Sequence, residues 1–93
     1  MKNWLHLYGQ RECHDWVWIV GDGEGLRRLR QAIDDALNIP VGGWTTTFCG
    51  DGEGYRIQVR WKREAEMETL ILPYSDPIAR AGGGKHPAEL EAR

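Results

Sequence analysis

The pentapeptide Gly-Asp-Gly-Glu-Gly occurs at 21–25 and again at 50–54, and these two breaks constrain the fold more than any other feature of the chain. Three glycines in five residues interrupt regular structure, because glycine loses the most backbone freedom on ordering and supplies turn conformations that other residues avoid. Before the first break, Trp16-Val17-Trp18-Ile19-Val20 has the composition of a strand. After it, Leu26, Leu29, Ile33, Ala36 and Leu37 recur at helical spacing. The segments flanking the second break, Trp44 to Cys49 and Tyr55 to Lys62, are both β-branched and aromatic. The first break is thus a strand-to-helix turn and the second a hairpin loop.

These readings extend along the whole chain. Residues 3–8 alternate Trp4, His6 and Tyr8 with Leu5 and Leu7, the period of a short strand. A second strand spans Asp15 to Val20, and because both its faces are apolar, both are expected to be covered. Asp22 is placed to cap a helix from about Glu24 to Asn38, with Glu24 near its positive end, and Asn38 and Pro40 stop it. In the hairpin, Tyr55, Ile57, Val59 and Trp61 are expected to face the core, leaving Arg56, Gln58, Arg60 and Lys62 opposite. Met67 to Leu72 reads as a last strand, ended by Pro73. The expected fold is α+β, a small antiparallel sheet in the order β-β-α-β-β-β with one helix packed on one face. Residues 1–78 form a single domain in this reading, and 79–93, opening with Ala-Arg-Ala-Gly-Gly-Gly, a flexible Gly-rich tail.

Composition narrows the function classes. Ninety-three residues suffice for one small domain, and small domains without a metal or disulfides often depend on oligomer contacts, so a homo-oligomer through the remaining apolar strand face is expected. Twelve Lys and Arg against fourteen Asp and Glu leave a net charge of −2, with no basic excess to hold duplex nucleic acid. The longest apolar run is far shorter than the roughly 20 residues that span a bilayer, and Met1-Lys2-Asn3 leads into no signal-peptide core. A cytoplasmic location without membrane association is expected, with Cys13 and Cys49 as reduced, buried or half-buried thiols.

Several constellations bear on chemistry. The turn at 21–25 lacks a Walker lysine, and Asp22 and Glu24 repel phosphate, so a capped tight turn is favoured over an anion cradle. Asp22, Glu24, Asp51 and Glu53 could share a divalent cation only if the two loops met, and calcium-loop spacing is absent. Cys13, His14 and His6 invite a nucleophile or zinc reading, but adjacent residues on an extended chain diverge and no second ligand pair exists. No catalytic residue, metal or cofactor is therefore assigned. The most informative feature is the basic strand face of Arg56, Arg60 and Lys62, in a chain with five Trp and three Tyr. Guanidinium groups grip phosphates and indoles offer flat faces to a base, so Arg56, Arg60, Lys62, Trp16 and Trp18 are the candidate ligand-binding residues. The alternative is a solvated sheet face whose charges serve solubility.

The stretch Val17 to Leu37, containing Ile-Val-Gly-Asp-Gly-Glu-Gly-Leu, followed by Asp51-Gly52-Glu53-Gly54-Tyr55, resembles small uncharacterised proteins of phages and bacteria over about half the chain. Two groups share this size and element order: phage anti-defence proteins that sequester nucleotide-derived immune signals, and immunity proteins that neutralise a cognate toxin. The first resemblance implies a non-enzymatic oligomer in the host cytoplasm that binds a cyclic or ADP-ribose-type nucleotide. It carries no binding residue across, so the five candidates rest on their physical chemistry. The second implies a toxin-complementary patch, for which Asp34, Asp35 and the two acidic loops are candidates. Binding and sequestration of a small phosphorylated ligand is the leading expectation, and toxin neutralisation is the alternative.

Overall fold

The computed structural model describes residues 2–91. They form two compact units, one of residues 2–7 and 18–61, the other of residues 8–17 and 62–91. The elements of the first unit follow the expected order. Strands β1 (Leu5–Tyr8) and β2 (Trp18–Gly21) pair antiparallel; helix α1 (Gly23–Asn38) follows, then strands β3 (Gly43–Phe48) and β4 (Gly54–Val59) as an antiparallel hairpin.

Local chemistry fixes these boundaries. Asp22 caps α1 as expected, its Oδ1 accepting the Gly25 N–H at 2.8 Å, and that bond holds the Asp22 carboxyl below its ordinary pKa. A carboxyl lowered on folding stabilises the native state above its unfolded pKa. This contribution is lost as pH falls through the lower, folded value. At the second break the Cys49 N–H donates to the Glu53 carbonyl at 2.8 Å, and the Asp51 carboxylate accepts the Glu53 N–H at 3.0 Å. The second pentapeptide is therefore a hairpin loop, whereas in the first only Asp22 lies between β2 and α1, whose first turn holds Gly23, Glu24 and Gly25.

The hairpin register pairs Thr45 with Ile57 and Thr47 with Tyr55, and these residues line the face toward α1. The helix approaches that face unusually closely. A Cβ at Gly43 would collide with the Ala32 carbonyl, and one at Gly25 with the Trp4 carbonyl. At such separation only small side chains fit on the inner face of the helix, and its buried residues are Gly25, Ala32 and Ala36. This corrects the expected apolar stripe: Ala36 is inward, but Leu26, Ile33 and Leu37 are exposed. Leu5, from β1, is fully buried and contributes with Ile57 the large apolar side chains of the core.

The strand expectations are also amended. Trp18, Ile19 and Val20 on β2 are all exposed, so neither face of this strand is covered as its composition suggested. A single bridge, Trp4 to Phe48, links β1 to the hairpin, giving two two-stranded sheets in place of one.

The second unit departs further. A helical turn, α2 (Glu64–Met67), precedes the expected strand at Met67 to Leu72, and no strand forms there: Leu70 enters only a single bridge with Lys85. The turn is favoured because the Glu66 carboxylate accepts the Arg63 N–H at 3.2 Å, closing the first turn and lowering the Glu66 pKa. Within 79–91, the turn α3 (Pro77–Arg80) ends and a 3-10 helix (Pro87–Glu91) follows; Ala92 and Arg93 of the expected tail lie outside the described residues. Cys13 is exposed, against the expectation of burial, whereas Cys49 is half-buried.

Thr47 is completely buried, and its Oγ1 has no hydrogen-bond partner. An orphaned buried hydroxyl costs desolvation that no bond repays. Thr47→Val keeps the shape and the strand preference while removing that cost, so it is expected to raise stability by about 1–2 kcal/mol. Urea unfolding of the two proteins measures this, and a lowered midpoint would contradict it.

Candidate functional site

The outer face of the β3–β4 hairpin, opposite α1, carries Trp44, Thr46 and Phe48 from β3 and Arg56 and Gln58 from β4. Trp44 pairs with Gln58 and Thr46 with Arg56, which places Arg56 on the diagonal from Trp44. Long side chains reach across that diagonal. The Arg56 guanidinium lies over the Trp44 ring, 4.6 Å from its centroid, while Trp44 remains 56% exposed. A cation held over a ring by its quadrupole keeps its N–H groups available for other acceptors. Among the described residues those N–H groups meet no acceptor. The result is a positioned cation beside an open indole edge.

Arg60 has a different environment. Its Nη1 donates to the Gly43 carbonyl at 2.9 Å and to the Val59 carbonyl at 3.0 Å, and its Nη2 donates to the Gln58 side chain at 2.7 Å. The guanidinium fork thus ties the end of β4 to the start of β3. Trp18 sits on β2, in the other sheet. Lys62 and Trp16 belong to the second unit, where Trp16 is 82% exposed. The five candidates are therefore divided between two units, and Arg56 joins an aromatic partner, Trp44, that the sequence reading did not select. Trp44 could have been found by setting the register of the hairpin about its Gly50–Gly54 loop, which puts Arg56 one diagonal away.

The other candidates serve the fold. His6 Nε2 accepts the Gly50 N–H at 2.8 Å and so anchors the hairpin loop. Glu24 pairs with Arg28 at 2.9 Å and with Arg27 at 3.6 Å, and Asp35 accepts from Gln31 at 2.9 Å. Among the described residues no three His, Cys, Asp or Glu side chains converge to hold a metal ion.

The second unit contains a cleft of about 470 Å³ walled by Met67, Leu70 and Leu72, with Arg80 and His86 at its polar side. Both polar groups are engaged with their own backbone. Arg80 Nε donates to the Tyr74 carbonyl at 2.9 Å, and His86 Nδ1 accepts the Ala88 N–H at 3.0 Å. The outer hairpin face is the better candidate because its cation is both positioned and unengaged. No protein family, curated protein or solved structure matches the chain.

Arg60→Ala is expected to lower stability by about 1–2 kcal/mol, because it removes charge-assisted bonds to two backbone carbonyls. Arg60→Lys, which keeps the charge but not the fork, is expected to recover little of that loss. Thermal unfolding of both variants measures it. Unchanged stability in Arg60→Ala would show that the fork does not hold the hairpin.

Proposed function

We propose that this protein is a non-enzymatic binding protein for a small phosphorylated ligand that carries a flat ring, of the cyclic or ADP-ribose-type nucleotide class. The observation that carries the reading is the Arg56 guanidinium held over exposed Trp44 with its N–H groups unengaged among the described residues. A phosphate takes two parallel N–H donors from a guanidinium, and the exposed part of the indole lies beside it for contact with the ring of the ligand. Gln58, exposed beside Trp44, adds an amide that can bond to a base or ribose. Arg60 acts by holding the hairpin ends together, so it supports this surface without gripping the ligand.

Sequestration of a nucleotide-derived signal is the biological form of this reading, and it rests on the resemblance to phage anti-defence proteins. A toxin-neutralising surface has less support: of its candidates Asp22, Glu24, Asp35 and Asp51 already accept bonds within their own turns and helix, and Asp34 is left as an isolated carboxylate among the described residues.

Calorimetric titration with ADP-ribose and with a cyclic dinucleotide tests the assignment. Arg56→Ala is expected to weaken binding of the recognised nucleotide about 10–100-fold, the equivalent of lost charge-assisted hydrogen bonds. Trp44→Leu is expected to weaken it by a comparable factor through lost stacking. Inorganic phosphate should compete. Affinity unchanged in both variants would move recognition off this face, and absence of binding by either nucleotide would contradict the ligand class.

A further inference from the structure

The close approach of α1 to the hairpin leaves a second apolar stripe on the helix. Leu26, Ile33 and Leu37 are 43%, 43% and 63% exposed, and Leu29, half-buried, joins them to the inward face. Three large aliphatic side chains on one side of a 16-residue helix form a seam of the kind that packs against another helix. Exposure alone does not say what covers it. The charges bordering the stripe do.

At helical spacing, Arg30 and Asp34 lie along the solvent border of the stripe. They are four residues apart, close enough to pair within the helix, yet among the described residues neither side chain has a partner. Their order, cation before anion, is the poorer orientation for an intrahelical pair. Beyond the first turn, where Asp22 and Glu24 suit the helix dipole, the charge order runs against it. Arg27, Arg28 and Arg30 lie in the N-terminal half, Asp34 and Asp35 in the C-terminal half, and the last turn has no basic residue. Cations near the N-terminus and anions near the C-terminus are each unfavourable in an isolated helix.

An antiparallel copy of the same helix reverses every one of these terms. In a two-fold pair, residue i faces j of the partner while j faces i, and the same border of each helix meets across the seam. Arg30 then faces the second copy's Asp34, and Asp34 faces its Arg30. Each basic half lies beside an acidic half, and the two helix dipoles oppose.

We propose that α1 is a homodimer interface, packing antiparallel on α1 of a second copy through Leu26, Leu29, Ile33 and Leu37, with reciprocal Arg30–Asp34 ion pairs setting the register. This places self-association on the helix and not on the strand face suggested by composition. It does not depend on the ligand reading, since the stripe and the Trp44–Arg56 face belong to different elements. A pair of short helices sits at the low end of specific interfaces, below about 800 Å² per partner, so the dimer should be concentration-dependent.

Sedimentation velocity of the full chain across the micromolar range tests the proposal. The wild-type protein should move from monomer to dimer as concentration rises. Arg30→Asp alone places two carboxylates opposite each other at both of the reciprocal positions beside the centre of the seam, and Asp34→Arg alone does the same with guanidiniums. Each should weaken dimerisation at least about tenfold, because close like charges replace close pairs. The double variant Arg30→Asp, Asp34→Arg restores opposite charges by symmetry and should recover the wild-type dimer. Because both residues are exposed, circular dichroism should show all three variants folded. A wild-type protein that stays monomeric throughout would overturn the proposal. So would single reversals that leave the dimer intact, or a double variant no better than either single one.

Discussion

The contact between the backbone of α1 and the backbone of the hairpin governs the rest of the first unit. Gly43 meets the Ala32 carbonyl and Gly25 meets the Trp4 carbonyl, with no room at either point for a Cβ. A helix held that near a sheet can present only small residues inward, and Gly25, Ala32 and Ala36 are what it presents. Two consequences follow from this one distance. The inner faces of β3 and β4 are lined by Thr45, Thr47, Tyr55 and Ile57, with bulk supplied from the side by Leu5. The large aliphatic residues of the helix are turned away from the core, where a second surface can use them.

The same arrangement gives the hairpin an outer face that the helix does not cover. Cross-strand geometry brings Arg56 over Trp44 there, while Arg60 clamps the open end of the hairpin through the Gly43 and Val59 carbonyls. Two arginines four residues apart on one strand pattern thus have opposite roles. One is held by a ring and keeps its hydrogen-bonding edge available; the other places its donors on backbone carbonyls. Charge type and alternation do not distinguish the two, because the difference lies in what the chain places within reach of each guanidinium.

Much of the first unit was legible in the sequence. The helix ends, the Asp22 cap, the hairpin loop and the inward side of β4 follow from turn chemistry and periodicity, which are local, but Trp61, expected to face the core, lies past the end of β4 and is exposed. What was not legible depends on distances between elements. The helical pattern of Leu26, Leu29, Ile33 and Leu37 identifies a stripe but not whether that stripe or the neighbouring Gly25–Ala32–Ala36 line meets the sheet. Trp44 was not selected because its partnership with Arg56 arises only after the hairpin register is set. At Met67 to Leu72 a short apolar run is compatible with either strand or irregular packing, and apart from the bridge at Leu70 the chain there is irregular. The uncovered faces of β2 illustrate the same limit, since composition measures what a strand could bury and not what the fold brings to it.

Nuclear Overhauser contacts along α1 test this account most directly. If the small face is inward, the Hα protons of Ala32 and Gly43 should show a strong cross-peak, and the methyl groups of Ile33 and Leu37 should show none to Thr45, Thr47 or Ile57. Strong methyl contacts from Ile33 and Leu37 to those hairpin residues, with the Ala32–Gly43 peak missing, would mean that the large stripe fills the core. The close backbone approach, and the exposed helix surface derived from it, would then both be wrong.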